Sequence, residues 1–218
     1  IVPFAAGGAT DTLARFLGER MRAVLGQPIV IENVTGAGGS IGVGRAVRAP
    51  ADGYRIYFAT SSALTANPFL MKNLPYDPVK DFDPVAFLVF ANQFILVHKD
   101  VPAKTLADLV EHDRQKPGDW SIAIDGPRNL AGMTARALNF RAGTKLVYVT
   151  YPNIVNGLQD LVAQRLEVGV FPVAISGDFV RDGSLKALAV AGLKRIAEFP
   201  GVPSASETYG DFDFSGWF

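Results

Sequence analysis

Val2-Pro3-Phe4-Ala5-Ala6-Gly7-Gly8-Ala9-Thr10-Asp11 is a short apolar run, a pair of glycines and a helix start, and its reading decides the fold. From Asp11 onward Leu13, Phe16, Leu17, Met21, Val24 and Leu25 recur at helical spacing, and Gly26 stands where a helix ends. Strand, small-residue loop and helix make a βα unit. Glycines at that junction leave backbone N–H groups uncovered, and the helix dipole adds roughly half a positive charge, so an anion can be held without arginine or lysine. A tight turn capped by Thr10 or Asp11 accounts for the same residues, and the loop alone leaves both readings open.

The arrangement recurs along the chain. A strand over 28–32 leads into Thr35-Gly36-Ala37-Gly38-Gly39-Ser40 and a helix over 41–48, and a strand over 54–59 leads into the hydroxyl-bearing loop Thr60-Ser61-Ser62. Three such loops at the carboxyl ends of neighbouring strands would form a pincer of N–H groups and hydroxyls. The hydroxyls also read as caps of the next helix. Neither glycine loop has the Gly-Lys-Ser/Thr ending of a P-loop or the GxGxxG spacing of a dinucleotide fold.

Past the proline-rich loop 73–84, an apolar stretch runs over 85–97, interrupted by Asn92 and Gln93, and a second series begins. It comprises a helix over 105–115, a strand over 120–124, a helix over 130–139 and a strand over 146–150. A helix over 154–166, a strand over 168–173, a short helix near 177–180 and a strand over 185–191 follow. Alternation of this kind predicts an α/β fold in two similar halves. The predicted division gives a first lobe of 1–97, to which 213–218 returns, and a second lobe of 98–212, with a hinge at the end of the long strand.

Composition narrows function. Hydrophobic residues make up 49% of the chain and charged ones 19%, the profile of a packed globular protein. Lys+Arg 21 balance Asp+Glu 21, with no basic block for nucleic acid. The absence of cysteine excludes disulfides and thiolate chemistry. His98 and His112 are the only histidines; both read as surface or hinge residues, and no metal-ligand spacing or Gly-x-Ser-x-Gly elbow is present. No catalytic constellation emerges, and no cofactor or metal is expected. Ile1 starts within a strand and Phe218 ends on apolar residues, so the expectation is a piece of a longer chain, without its signal peptide.

The ordered segments 2–11, Gly26-Gln27-Pro28, Gly36-Ala37-Gly38-Gly39-Ser40-Ile41-Gly42, Ala51-Asp52-Gly53-Tyr54, Asn67-Pro68, 74–82, Leu130-Ala131-Gly132, 183–191, 200–204 and Gly216-Trp217-Phe218 resemble the tripartite tricarboxylate transporter receptors, also called Bug or TctC-type periplasmic binding proteins. The resemblance spans the whole chain. It implies a type II periplasmic binding protein, two α/β lobes with a central cleft, here lacking the C-terminal part of lobe one. It further implies a monomer in the periplasm that delivers a small carboxylate to membrane transporter subunits and binds no nucleic acid.

Carried over by position, the family's pincer falls on Phe4, Ala5, Ala6, Gly7, Gly8 and Asp11, and on Thr35, Gly36, Ala37, Gly38 and Gly39, with Thr60, Ser61 and Ser62 as the hydroxyl loop. In lobe two it falls on Asp125, Arg128, Asn129, Tyr151, Phe171 and Pro172. Three segments depart from the family pattern. Val34-Thr35 replaces an arginine or asparagine with proline, Asp125-Gly126-Pro127-Arg128-Asn129 replaces a longer Gly/Ser-rich loop, and Pro152-Asn153 replaces a basic residue with glycine. The ligand therefore stays open among dicarboxylates, tricarboxylates, aromatic acids, amino acids and amides. Asp125 with Arg128 fits an amino acid or dicarboxylate, or else a mutual surface ion pair. The alternative function is an α/β transferase or hydrolase that uses the glycine loops as an oxyanion or phosphate site. A ligand-sensing module is a third.

Overall fold

The computed structural model describes residues 1–218, which divide into two compact units, Ile1–Val89 with Trp217–Phe218 and Phe90–Gly216. In the first unit α1 (Ala9–Leu25) ends as its sequence predicts: Gly26 adopts φ 65° and its N–H donates to the Arg22 carbonyl. α2 (Ser40–Val47) and the short α3 (Asn67–Leu70) follow.

The three strands expected in this unit are not regular strands. They are extended segments held by a few bonds: Val2 N–H to Glu32 O at 2.8 Å, Val34 N–H to Val2 O at 2.8 Å, and Phe58 N–H to Ile1 O at 2.9 Å. Only Val2 and Asn33 form a bridge, and it is parallel. On the other side Ile1 pairs with the 56–58 segment, and Pro3, which shares that side, has no N–H with which to carry this pairing further. The start of the segment is therefore fixed between its two neighbours while its end is free to turn into the first glycine loop. Val2, Ala14 and Phe58 are buried together beneath α1, with Leu13, Leu17 and Ile31 against them.

The second unit is built on a five-stranded sheet of order β4-β3-β5-β2-β6. Its strands are β2 (Gln93–His98), β3 (Ser121–Ile124), β4 (Val147–Thr150), β5 (Val168–Pro172) and β6 (Leu185–Val190), with two short extended pieces, β1 (Phe90–Ala91) and β7 (Gly216–Trp217), near the chain crossings. β3 runs parallel to β4 and β5, whereas β2 runs antiparallel to β5 and β6. The helices are α4 (Leu106–Gln115), α5 (Leu130–Ala142), α6 (Ile154–Val162), α7 (Val173–Arg181) and α8 (Ser206–Tyr209). Thr105 and Asp108 close a capping box on α4, the local reason it starts there.

β2 reads as a continuous apolar run because both of its faces are covered. Ile95 and Val97 join Leu109, Ile122, Ile124 and Leu138 on one side of the sheet. Phe94 and Leu96 join Leu158, Leu161, Phe171 and Phe199 on the other. This corrects the expected lobe boundary at 97/98. Residues Phe94 to Val97 are fully buried between β5 and β6, so they belong to the second unit, and the chain divides at Val89/Phe90. The apolar stretch before it is not strand: Val85 is 83% exposed.

Candidate functional site

The first glycine loop is organised by Asp11. Its carboxylate is buried in the first turn of α1 and accepts the Gly7 N–H and the Arg15 Nε–H through Oδ2, each at 2.9 Å. Asn33 Nδ2 donates to Asp11 Oδ1 and to the Phe4 carbonyl, both at 2.9 Å. Burial pushes the Asp11 carboxyl up, but the hydrogen bonds from Arg15, Gly7 and Asn33 outweigh it and leave its pKa below the ordinary value. Asp11 therefore shapes the loop from within. In this structure the Gly7 N–H and the Asp11 carboxylate, both expected at the site, satisfy each other.

What the loop offers lies on either side of that anchor. Gly7 turns at φ 82°, and Gly8 opens α1 with no side-chain cap, so the first N–H groups of the helix have no intrahelical partner. Ala5 accepts the Gly8 N–H at 3.4 Å and closes the turn, while Ala6 and Gly7 are exposed.

The second loop packs against the first. A Cβ on Gly39 would stand 3.3 Å from Pro3 Cβ and 3.9 Å from Phe4 Cζ, and one on Gly42 would meet the Val34 carbonyl at 2.8 Å. Ala37, Gly38 and Gly39 follow one another at φ 48°, 64° and 89° before α2 begins at Ser40. Within it the Gly39 N–H donates to the Gly36 carbonyl at 3.0 Å and the Ser40 N–H to the Ala37 carbonyl, so the N–H groups the run can offer an anion are those of Ala37 and Gly38. Thr35, Gly36 and Ala37 are exposed at its rim.

The hydroxyl loop is packed more tightly than its sequence suggests. Thr60, Ser61 and Ser62 are all buried. Thr60 Oγ1 accepts the Ala63 N–H at 3.4 Å, and Ser61 Oγ accepts the Trp217 N–H at 3.4 Å, so capping and packing account for part of their chemistry. A residue outside the predicted set ties this loop to the second one: buried Asn67 donates to Ser40 Oγ at 3.0 Å and to the Tyr76 hydroxyl at 3.3 Å, and Tyr76 donates to the Ala63 carbonyl at 2.6 Å. Asn67 and Asn33 both lie outside the site that the sequence predicts. The signal available there was an asparagine beside each loop with no turn of its own to cap.

In the second unit the predicted residues gather at the carboxyl ends of β3, β4 and β5, but their side chains differ in availability. The carboxyl of Asp125 is buried near the N-terminus of α5, and Oδ1 has no hydrogen-bond partner. Burial pushes it up to about 7, although the N–H groups of Gly132 and Ala131 and the side chain of Asn129 draw it down. Asn129 Nδ2 donates to the Asp125 carbonyl at 3.0 Å, which folds the loop back on itself. Arg128 is exposed and makes no ion pair with Asp125, so the mutual pair expected as one option does not form.

Tyr151 donates to Asp160 Oδ2 at 2.8 Å, and its ring lies over Gly157, where a Cβ would come within 2.9 Å. Its hydroxyl is committed to its own unit. Phe171 is fully buried, with its ring folded so closely over Gly169 that a Cβ there would overlap it. Residues alternate across the sheet, and the side chain of Phe171, expected at the site, points into the apolar layer with Phe94 and Leu158. Pro172 accepts the Ser176 hydroxyl at 2.8 Å and stays half-buried at the strand end.

His98 is buried at the end of β2, where Nδ1 accepts the Asp100 N–H at 3.3 Å. His112 stacks on Trp120 at 3.7 Å and bonds Asp119. No group of three His, Asp or Glu side chains is placed to hold a metal ion. The site's chemistry is that of fixed backbone dipoles and hydroxyls.

Comparison with known proteins places this geometry. A family model described as the tripartite tricarboxylate transporter family receptor matches residues 13–218. The chain is 32% identical over 224 residues to the protein BugT of Bordetella pertussis, covering all of this chain and 68% of that protein. It is 31% identical over 207 residues to a UPF0065 protein of Bordetella bronchiseptica, covering 95% of this chain and 61% of that protein. A solved structure of R. palustris Rpa4515 with adipate superposes with a TM-score of 0.92 at 28% identity, covering all of this chain and 73% of that one.

Proposed function

Because this chain belongs to the tripartite tricarboxylate transporter receptor family, we propose that it is a periplasmic solute receptor that captures a small carboxylate for the membrane subunits of such a transporter. One observation carries the carboxylate: two glycine loops packed side by side, Gly7-Gly8 at an uncapped helix start and Ala37-Gly38-Gly39 in a left-handed run. Fixed N–H dipoles at a helix N-terminus favour an anion without a cationic side chain. Rpa4515, a relative by structure, was solved with adipate, which is a carboxylate of this size class.

Binding requires no proton transfer. The Asp11 carboxylate holds the loop instead of attacking or protonating anything, and neither histidine stands among the glycine loops as a base. A receptor therefore uses what is built, whereas a transferase or hydrolase would need a further group.

Titration calorimetry against mono-, di- and tricarboxylates tests the reading. Saturable binding with the ligand recovered unchanged is the expected outcome. Turnover of the ligand, or no affinity for any carboxylate, overturns it. Gly38→Asp supplies the control: at φ 64° an aspartate is tolerated, so the protein folds, but the added negative charge abolishes carboxylate binding.

A further inference from the structure

Within the first unit, Ser62–Ala66 forms a single π-helical turn between the hydroxyl loop and α3. The Asn67 N–H, which an α-helix would give to the Ala63 carbonyl, reaches back five residues to Ser62 instead. Pro68 has no N–H to supply in its place, and the Ala63 carbonyl is taken by the Tyr76 hydroxyl at 2.6 Å. While the backbone of Asn67 closes this turn, its side chain leaves it: Nδ2 donates to Ser40 Oγ, 27 positions back along the chain, at 3.0 Å and to the Tyr76 hydroxyl at 3.3 Å.

Ser40 is the first residue of α2 and follows directly on the left-handed run Ala37-Gly38-Gly39. Glycine has the most backbone freedom to lose, so such a run keeps one conformation only where its ends are held. Asn67 holds the far end, and the hold is costly. The residue is 1% exposed, and its Oδ1 has no hydrogen-bond partner. Neither Ser40 nor Tyr76 depends on Asn67 for a place to put its own proton, since Ser40 Oγ donates to Met71 Sδ at 3.3 Å and Tyr76 to Ala63. An apolar residue of the same outline at position 67 would therefore strand no donor and would remove a stranded acceptor. What the carboxamide supplies is a fixed link between two loops.

We infer that Asn67 is a positioning residue for carboxylate affinity, which holds the Ala37 and Gly38 N–H groups of the second glycine loop in place against the hydroxyl loop without itself facing the ligand. The inference rests on the carboxylate reading above. Its physical basis is preorganisation: donors that are already fixed lose little freedom on binding, whereas a loop released at Ser40 must be ordered by the ligand.

Asn67→Leu, which keeps the branched outline of asparagine, and Ser40→Ala test it, by calorimetry on the full chain with benzoate, succinate, adipate and citrate and by urea unfolding of the same proteins. Asn67→Leu is expected to unfold at or above the parent's urea midpoint and to bind the parent's best carboxylate about five- to tenfold more weakly, the equivalent of one neutral hydrogen bond of about 1–1.4 kcal/mol. Ser40→Ala should weaken binding as well, and in the Asn67→Leu background it should add nothing, because both remove the same link. Unchanged affinity in a folded Asn67→Leu variant overturns the inference, whatever its midpoint, since a merely structural residue moves the midpoint alone. A Ser40→Ala loss that adds in full to that of Asn67→Leu overturns it too. Should Asn67→Leu not fold, Ser40→Ala decides: weaker binding at an unchanged midpoint supports the link, and unchanged binding refutes it. If none of the four compounds binds the unmodified protein, the carboxylate reading itself falls, and this inference with it.

Discussion

Asp125→Asn is expected to change the pH dependence of stability in a defined window. The carboxyl has an ordinary value near 3.8 and is pushed up to about 7 by burial, so the folded state holds its proton more tightly than the unfolded state does. Below the unfolded value both states are protonated and nothing is lost. As pH rises toward the folded value, the unfolded chain releases the proton and the folded one does not, so stability falls by about 1.4 kcal/mol per pH unit. Over roughly three units the loss reaches up to about 4 kcal/mol and then levels off, a large share of the roughly 5–15 kcal/mol that holds a domain together. Asparagine keeps the shape and has no proton to lose. Urea unfolding of both proteins at intervals across the acid-to-neutral range, read by Trp120 in a Trp217→Phe background, gives the difference directly, because every other titrating group cancels. Trp120 is buried in the apolar layer that α5 closes, so it reports on the unit that contains Asp125. The variant should gain on the parent steadily up to about pH 7 and no further. A gap that stays constant with pH refutes the assignment of a carboxyl whose pKa burial raises.

Three further outcomes test other parts of the structure. Asp11→Ala removes the acceptor for Gly7, Arg15 and Asn33, and should cost about 1–3 kcal/mol in urea unfolding and weaken carboxylate affinity in calorimetry; unchanged affinity would show that loop one folds without its anchor. Gly132→Ala places a Cβ against the backbone of Gly126 and Pro127, and should destabilise by about 3 kcal/mol or more, read as a lowered unfolding midpoint. Tyr151→Phe removes one hydrogen bond to Asp160, worth about 1 kcal/mol, and should leave ligand affinity as it was; a large loss of affinity would return the hydroxyl to the binding site.

Several elements of the fold were legible in the sequence because they depend on neighbours in the chain. The helical spacing after Asp11, Gly26 as its stop and the capping box of Thr105 and Asp108 are local, and the helices lie where those signals put them. β2 and β5 of the second unit were equally readable, since burial on both faces writes an unbroken apolar run. In the first unit the same kind of run misled: Pro3 denies the pairing with the 56–58 segment a donor, and on the other side the segments touch at the single bridge of Val2 and Asn33. A missing N–H is visible in the sequence, but which neighbour it would have served is not.

The glycine loops show the division most clearly. Residue types alone established that Gly7-Gly8 and Gly36 to Gly39 can expose N–H groups, because only small side chains permit those turns. Which of those groups remain available was decided by distant partners. Asn33 and Asp11 are 22 positions apart and meet only when the first two extended segments lie side by side. The same holds for Phe171, which the sequence places at a strand end and the sheet turns inward, and for Asp125, whose carboxyl α5 draws under cover. Sequence fixes what a side chain can donate or accept. Burial and pairing, which depend on contacts across the fold, decide whether it is still free to do so.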